Sequence, residues 1–279
     1  MPSSTAPVVI QGGMGIAVSS WQLARAVSRR GQLGVVSGTA LDGVVARKLQ
    51  DGDPGGHVQR ALAAFPVPAM AKRVFDRYFL PAGRPAGRPY RPHPTLTITP
   101  SRDAIELALV GNFVEVWLAK EGHDGLVGIN LLEKLQTATA SAVLGAMLAD
   151  VDYVIMGAGV PTEIPRLLDD YAAGRTGQLT IDVADATHPH LATLTASDYL
   201  GTDLPLPRRP KFLAIVSLHV LAGYLNRDPA IRPDGFVVEG PRAGGHSAPP
   251  RGQLVLDEAG DPIYGPKDKA DLAKIAALG

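Results

Sequence analysis

The sequence predicts an α/β fold built on a parallel sheet, of the TIM (β/α)8 barrel type. Three observations lead there. Short runs rich in Val, Ile and Leu alternate along the chain with longer segments of helical spacing. Each apolar run stops at a loop rich in Gly, Asn or Pro, residues that end a central strand. The glycine-rich loops follow several strands rather than the first alone, as in a site assembled from many strand–helix loops.

In chain order, the apolar runs place strands near 8–11, 33–37, 126–132, 151–156, 212–216 and 236–239. Between them, helical spacing predicts helices from Trp21 to Arg30, with Ser19 or Ser20 as cap, and from Leu41 to Leu49. Further helices are predicted over 58–65, 70–79, 105–120 and 138–148. Leu109, Phe113, Val116 and Trp117 mark an apolar face of the third of these. Thr162 is the expected cap of a helix over 163–171. Gln178 to Val183 reads as a further short strand, and 184–209 as less regular chain. A helix over 218–225, a polar hairpin over 253–264 and a helix from Lys269 complete the pattern. About six strand–helix units result. A closed barrel of this type has eight, so the chain is expected to lack its last strands.

The region 57–122 departs from the alternation and reads as a helical, Pro/Arg-rich insertion within a single domain over 1–279. Its irregular part, 81–100, carries six prolines, and Arg73, Arg77, Arg84, Arg88 and Arg91 make the region basic. A solvated arm is the plainer reading of this cluster; an anionic substrate or cofactor tail is the sharper one.

Bulk composition narrows the function classes. Of 279 residues 46% are hydrophobic and 19% charged, enough apolar content for a sizeable core. Twenty-seven basic residues balance twenty-seven acidic ones, so the chain lacks the basic excess of a general nucleic-acid binder. With no cysteine, disulfides, thiolate catalysis and Cys-based metal sites are excluded. The first residues lack a basic segment followed by an apolar one, and no apolar run reaches membrane-spanning length. A cytoplasmic protein with no membrane partner is the resulting expectation.

Four places carry candidate chemistry. Gln11-Gly12-Gly13-Met14-Gly15 follows the first strand. It lacks the spacing of a dinucleotide fingerprint and the Lys-Ser/Thr ending of a phosphate loop. It reads either as a tight turn or as backbone lying against a flat ligand. Asn130 is polar within an apolar strand, and a buried amide needs partners, either a neighbouring loop or a ligand edge. Gly157 opens the loop after the fourth strand. Phe236 to Ser247 delivers Ala243, Gly244, Gly245 and His246 at a strand's carboxyl end. Adjacent glycines admit close backbone approach, and histidine is suited to proton transfer near neutral pH. His188-Pro189-His190 is weak as a metal motif because no carboxylate pair lies near it, and no metal site is expected.

These pieces together resemble the nitronate monooxygenase (2-nitropropane dioxygenase-like) family of FMN-dependent TIM barrels, which also includes FMN-type enoyl-acyl-carrier-protein reductases. The resemblance rests on Val9-Ile-Gln-Gly-Gly-Met-Gly15, Gly128-Ile-Asn-Leu131, Met156-Gly157 with Val160-Pro161, and Val238-Glu-Gly-Pro-Arg-Ala-Gly-Gly-His246. It implies that Gly12, Gly13 and Met14 pass along a flavin ring, and that Asn130 hydrogen-bonds it. Gly157, Ala243, Gly244 and Gly245 would lie close to the FMN, and His246 would handle the proton on the substrate side. The family's phosphate-gripping glycine motifs after strands seven and eight have no counterpart in this sequence. The implied activity is oxidation of alkyl nitronates or nitroalkanes with O2. The alternatives are NAD(P)H-dependent reduction of an enoyl thioester, and a flavin-free, non-catalytic barrel fragment. The expected partner is a small-molecule substrate, either nitronate or enoyl thioester, and a homodimer is allowed.

Overall fold

A computed structural model of the chain describes residues 7–241, 243 and 248–278. Its elements in order are α1 (Trp21–Ser28), β1 (Gly34–Ser37), α2 (Leu41–Gln50), α3 (His57–Ala63), α4 (Pro68–Tyr78), α5 (Arg102–Lys120), β2 (Val127–Leu132) and α6 (Gln136–Leu148). There follow β3 (Tyr153–Gly157), α7 (Ile164–Ala172), β4 (Gly177–Ile181), β5 (His190–Leu194), α8 (Ser197–Leu200), β6 (Lys211–Val216), α9 (His219–Arg227), β7 (Gly235–Val238) and α10 (Leu272–Ala276).

Five strands form one parallel sheet in the order β1-β2-β3-β6-β7. Each new strand joins on the same side of the last, so the order never reverses. A doubly wound sheet reverses at a switch point; with crossovers of one hand, an order without reversal puts the helices on one face. The packing agrees. Val36, Ile129, Val154, Met156, Phe212 and Ala214 point into the large core shared with the helices. The alternate residues Leu33, Val35 and Ile155 form a second, smaller cluster on the other face, flanked by Leu213, Ile215 and Val237. This is the period-2 alternation of a strand, with the helix layer against one face and the smaller cluster on the other.

The helix layer is centred on α5. Ser101 caps it, its hydroxyl accepting from the Ala104 N–H at 3.3 Å, with Asp103 in the first turn and Lys120 in the last. Fifteen of its nineteen residues are buried, so it is enclosed on nearly all sides rather than along one apolar face. Its buried Glu106 is held by Arg73 and Arg102, and its buried Glu115 by Lys48. At Gly145 of α6 a Cβ would stand 2.3 Å from the Leu109 carbonyl, which explains the absence of a side chain where α6 crosses α5. The segment read from sequence as an insertion therefore supplies the middle of the helix layer. Its 81–100 stretch is irregular and mostly exposed, as a solvated arm would be.

Several expectations need correction. The strand near 8–11 contributes only a bridge between Ile10 and Leu33, because Gln11 uses its side chain to continue the ladder. The short strand expected from Gln178 is present as β4, outside the parallel sheet. It pairs antiparallel with β5, in a stretch expected to be irregular, where only alternate residues are covered. The hairpin expected over 253–264 is present in short form: Leu256 bridges Pro262 antiparallel, the Ile263 N–H donates to the Val255 carbonyl and the Asp257 N–H to the Asp261 carbonyl, both at 2.9 Å. Ser20 is the N-cap of α1, one of the two serines expected there, though without a side-chain bond, while Glu163, not Thr162, precedes α7. No helix among the described residues is long and apolar enough to cross a membrane.

Candidate functional site

The carboxyl ends of the parallel strands converge on a cavity of about 270 Å³ with mainly apolar walls. Gly13, Met14, Gly15 and Ile16 form one side. Ser37 and Thr39 from the end of β1, Asn130 and Leu132 from β2, Gly157 and Ala158 from β3, Ile215 from β6 and Glu239 after β7 form the rest. Strand register explains the set. Ser37 pairs with Asn130, Leu132 with Gly157 and Ile215 with Val237, so these residues share the face that points away from the helix layer. The carboxyl edge of a parallel sheet is where ligands bind in such folds.

The glycine loop is fixed from three directions. The Gln11 side-chain carbonyl accepts from the Val35 N–H at 2.9 Å, taking the place of a backbone ladder bond. Its amide group donates to the Ser19 hydroxyl at 3.0 Å, and that hydroxyl donates to the Met14 carbonyl at 2.6 Å. Asn130, 4% exposed, donates to the Gly12 carbonyl at 2.7 Å. Gly13 is left-handed at φ +70°, and a Cβ there would lie 2.4 Å from Val35 and 2.9 Å from Asn130. No other residue type fits at that point. Ala158, at φ 59°, adds a left-handed alanine to the opposite wall.

Of the residues proposed from sequence, Gly13, Met14, Asn130 and Gly157 meet around this cavity. Gly12 contributes its carbonyl to Asn130 instead of a wall. Ala243 is exposed in the turn after β7, its N–H donating to the Gly240 carbonyl at 3.0 Å, and does not line the cavity. Gly244, Gly245 and His246 lie outside the described residues. The sequence reading missed Gln11 and Ser19 as the clamp on the loop, and Ser37, Thr39, Leu132, Ala158, Ile215 and Glu239 as walls. Counting by twos from Asn130 reaches Leu132; Ser37 and Ile215 need the strand register. Among the described residues no group of His, Asp and Glu has the arrangement of a metal site.

An adjoining cavity of about 390 Å³ is polar. Glu133, Gln136, Thr139, Thr162, Glu163 and Thr180 are among its walls. Glu163 accepts from the Thr180 N–H at 2.8 Å and its hydroxyl at 2.9 Å, tying α7 to β4.

No protein-family model matches the chain, and neither a curated protein nor a solved structure matches it.

Proposed function

We propose that the chain is an FMN-dependent oxidoreductase of the nitronate monooxygenase type, and that its sheet is part of a (β/α)8 barrel. The barrel reading is supported by the unreversed order of five parallel strands with helices on one face. The observation that carries the flavin reading is the Gly13 loop. Side-chain-free backbone, clamped by Gln11, Ser19 and Asn130, forms one wall of an apolar cavity at the strand ends.

Those features suit a flat, largely apolar ring. Gly13 and Met14 would lie along it, Asn130 would present its amide, and Gly157 would leave room on the far side. FMN, when bound, supplies the electron-transfer chemistry. The protein's share is to orient the ring, keep water from it and move a proton. His246 is the proposed proton-handling residue. It comes seven positions after Glu239, a wall residue of the cavity. Substrate would be an alkyl nitronate or nitroalkane, and O2 the oxidant.

The test is reconstitution of the purified chain with FMN, followed by flavin fluorescence, the visible spectrum and O2 uptake with an alkyl nitronate. Quenching on binding and nitronate-dependent O2 uptake are expected. Binding of FMN with NAD(P)H-dependent bleaching and no nitronate turnover would select enoyl-thioester reduction instead. Absence of FMN binding would remove both readings and leave the flavin-free one.

A further inference from the structure

The glycine loop that walls the strand-end cavity also forms its lip, and the lip is apolar. Met14-Gly15-Ile16-Ala17-Val18 carries no polar side chain, although turns in contact with water favour Asn, Asp, Ser, Gly and Pro. Met14 and Ile16 line the cavity, yet they are 38% and 53% exposed. Val18, just beyond the wall, is 73% exposed. Side chains that are at once wall and surface stand at the cavity mouth.

The backbone holds them there. The Val18 and Ser19 N–H groups both donate to the Gly15 carbonyl, at 3.1 and 3.2 Å, and the Ser19 hydroxyl donates to the Met14 carbonyl. Gly15 is left-handed at φ +86°, and so is Ala17 at φ 58°. Alanine seldom takes that conformation. Such outliers persist where their surroundings fix them, and they cluster at ligand sites. With the turn closed in this way, Ile16 and Val18 join neither of the two core clusters.

Large apolar side chains scattered singly over a surface are ordinary; several together beside an apolar cavity mark where an apolar ligand lies. The lip offers no side-chain donor, acceptor or charge, so a polar ligand gains nothing from its side chains. One turn with three such side chains is also far short of the roughly 1,000 Å² that a specific protein interface covers. Val8, Val9 and Ile10 are exposed too, but they belong to the edge bridged to Leu33, and none of them lines the cavity. A flexible hydrocarbon chain fits both the size and the chemistry of the lip.

We infer that the substrate carries an unbranched alkyl chain, which leaves the cavity across Met14, Ile16 and Val18 while its nitro head stays inside. This rests on the proposed function and names the substrate within it: medium-chain primary nitroalkanes and their nitronates rather than the shortest members. Each methylene laid on the lip is expected to tighten binding about two- to fourfold.

Titration calorimetry of the full chain without O2, before and after addition of FMN, tests this with the 1-nitroalkanes from nitroethane to 1-nitrohexane. Affinity is expected to rise with every methylene. Ile16→Ser and Val18→Ser replace exposed side chains, so the melting temperature should not fall. Each should lower the ratio of 1-nitrohexane to nitroethane affinity roughly threefold or more. A ratio that both variants leave unchanged would overturn the inference. A flat series in a chain that binds FMN would overturn it too and leave the proposed function standing. A rising series in a chain that takes no FMN would support the alkyl-chain lip and remove the flavin reading. Sedimentation velocity adds a further check: dimers of the parent that Val18→Ser abolishes would show that a second copy covers the lip, which would overturn the inference.

Discussion

The Asn130 carboxamide donates to the Gly12 carbonyl at 2.7 Å across 118 positions of sequence, tying the second strand of the sheet to the loop before the first. That bond sets the height of the glycine loop over the strand ends. Its backbone continuation is the Gly38 N–H, which donates to the Asn130 carbonyl at 2.8 Å. One residue therefore holds the loops on both flanks of β1.

Replacing Asn130 by Ala removes the side-chain half of this arrangement. A cost of about 1–2 kcal/mol is expected, the net value of one hydrogen bond plus partial exposure of its partner. The sharper readout is local: amide exchange at Gly13 and Met14 should speed up while α5 exchanges as before. Uniform acceleration across the chain would mean that Asn130 supports the global core and not the loop. Loss of FMN binding in the same variant would follow from the proposed function.

Gly13→Ala tests the close approach directly. The new methyl would stand 2.4 Å from Val35 Cγ1, on a backbone at φ +70°. Overpacking and left-handed strain together give an expected loss of about 2–4 kcal/mol. Denaturant titration measures it; a loss below about 1 kcal/mol would show that the loop can move off Val35.

The places where sequence reading succeeds and fails have physical reasons. Gly13, Asn130 and Gly157 stood out because each breaks the local rule of its segment: glycine where a chain turns, an amide inside an apolar strand. Gln11 and Ser19 did not, because a side chain replacing a ladder bond looks in sequence like any polar residue after a strand. The placement of Ser37 depends on its pairing with Asn130, and pairing is a long-range property. The enclosure of α5 was not legible because carboxylates seldom lie in a core, whereas Glu106 and Glu115 are buried and ion-paired. β5 was missed because its alternating cover leaves it half polar. Alternation of strand and helix predicted the parallel sheet correctly, since that pattern is local.

Glu115 is 1% exposed and accepts from both Lys48 and the Trp21 N–H, the latter at 3.1 Å. Lys48→Met would leave a carboxylate buried without its cation, at an expected cost of about 3–5 kcal/mol. Adding Glu115→Gln should recover most of that loss, because an amide still accepts from Trp21 and carries no charge. Urea midpoints of the two single variants and the double variant measure the coupling. Additive losses would show that the pair is solvated enough to act as two separate surface charges.

Glu121 gives the pH dependence a defined direction. Arg60 holds it through two N–H donors, and Arg25 lies 3.7 Å away. The bond from Arg60, outweighing burial, lowers its pKa below the ordinary value of 4.5. A carboxylate with a lowered folded-state pKa binds fewer protons folded than unfolded, so its contribution is complete above the unfolded value. It is lost as the pH falls below 4.5 and through the folded value. Since Glu121 and Arg60 are partly exposed, the contribution at neutral pH is small, about 0.5–1 kcal/mol. Glu121→Gln should therefore lower the melting temperature at pH near neutrality and lose that effect in acid. High salt should shrink the neutral-pH difference as well, because screening acts on an accessible pair. Melting curves of parent and variant that stay parallel from neutral pH into acid would show that Arg60 and Glu121 are not coupled.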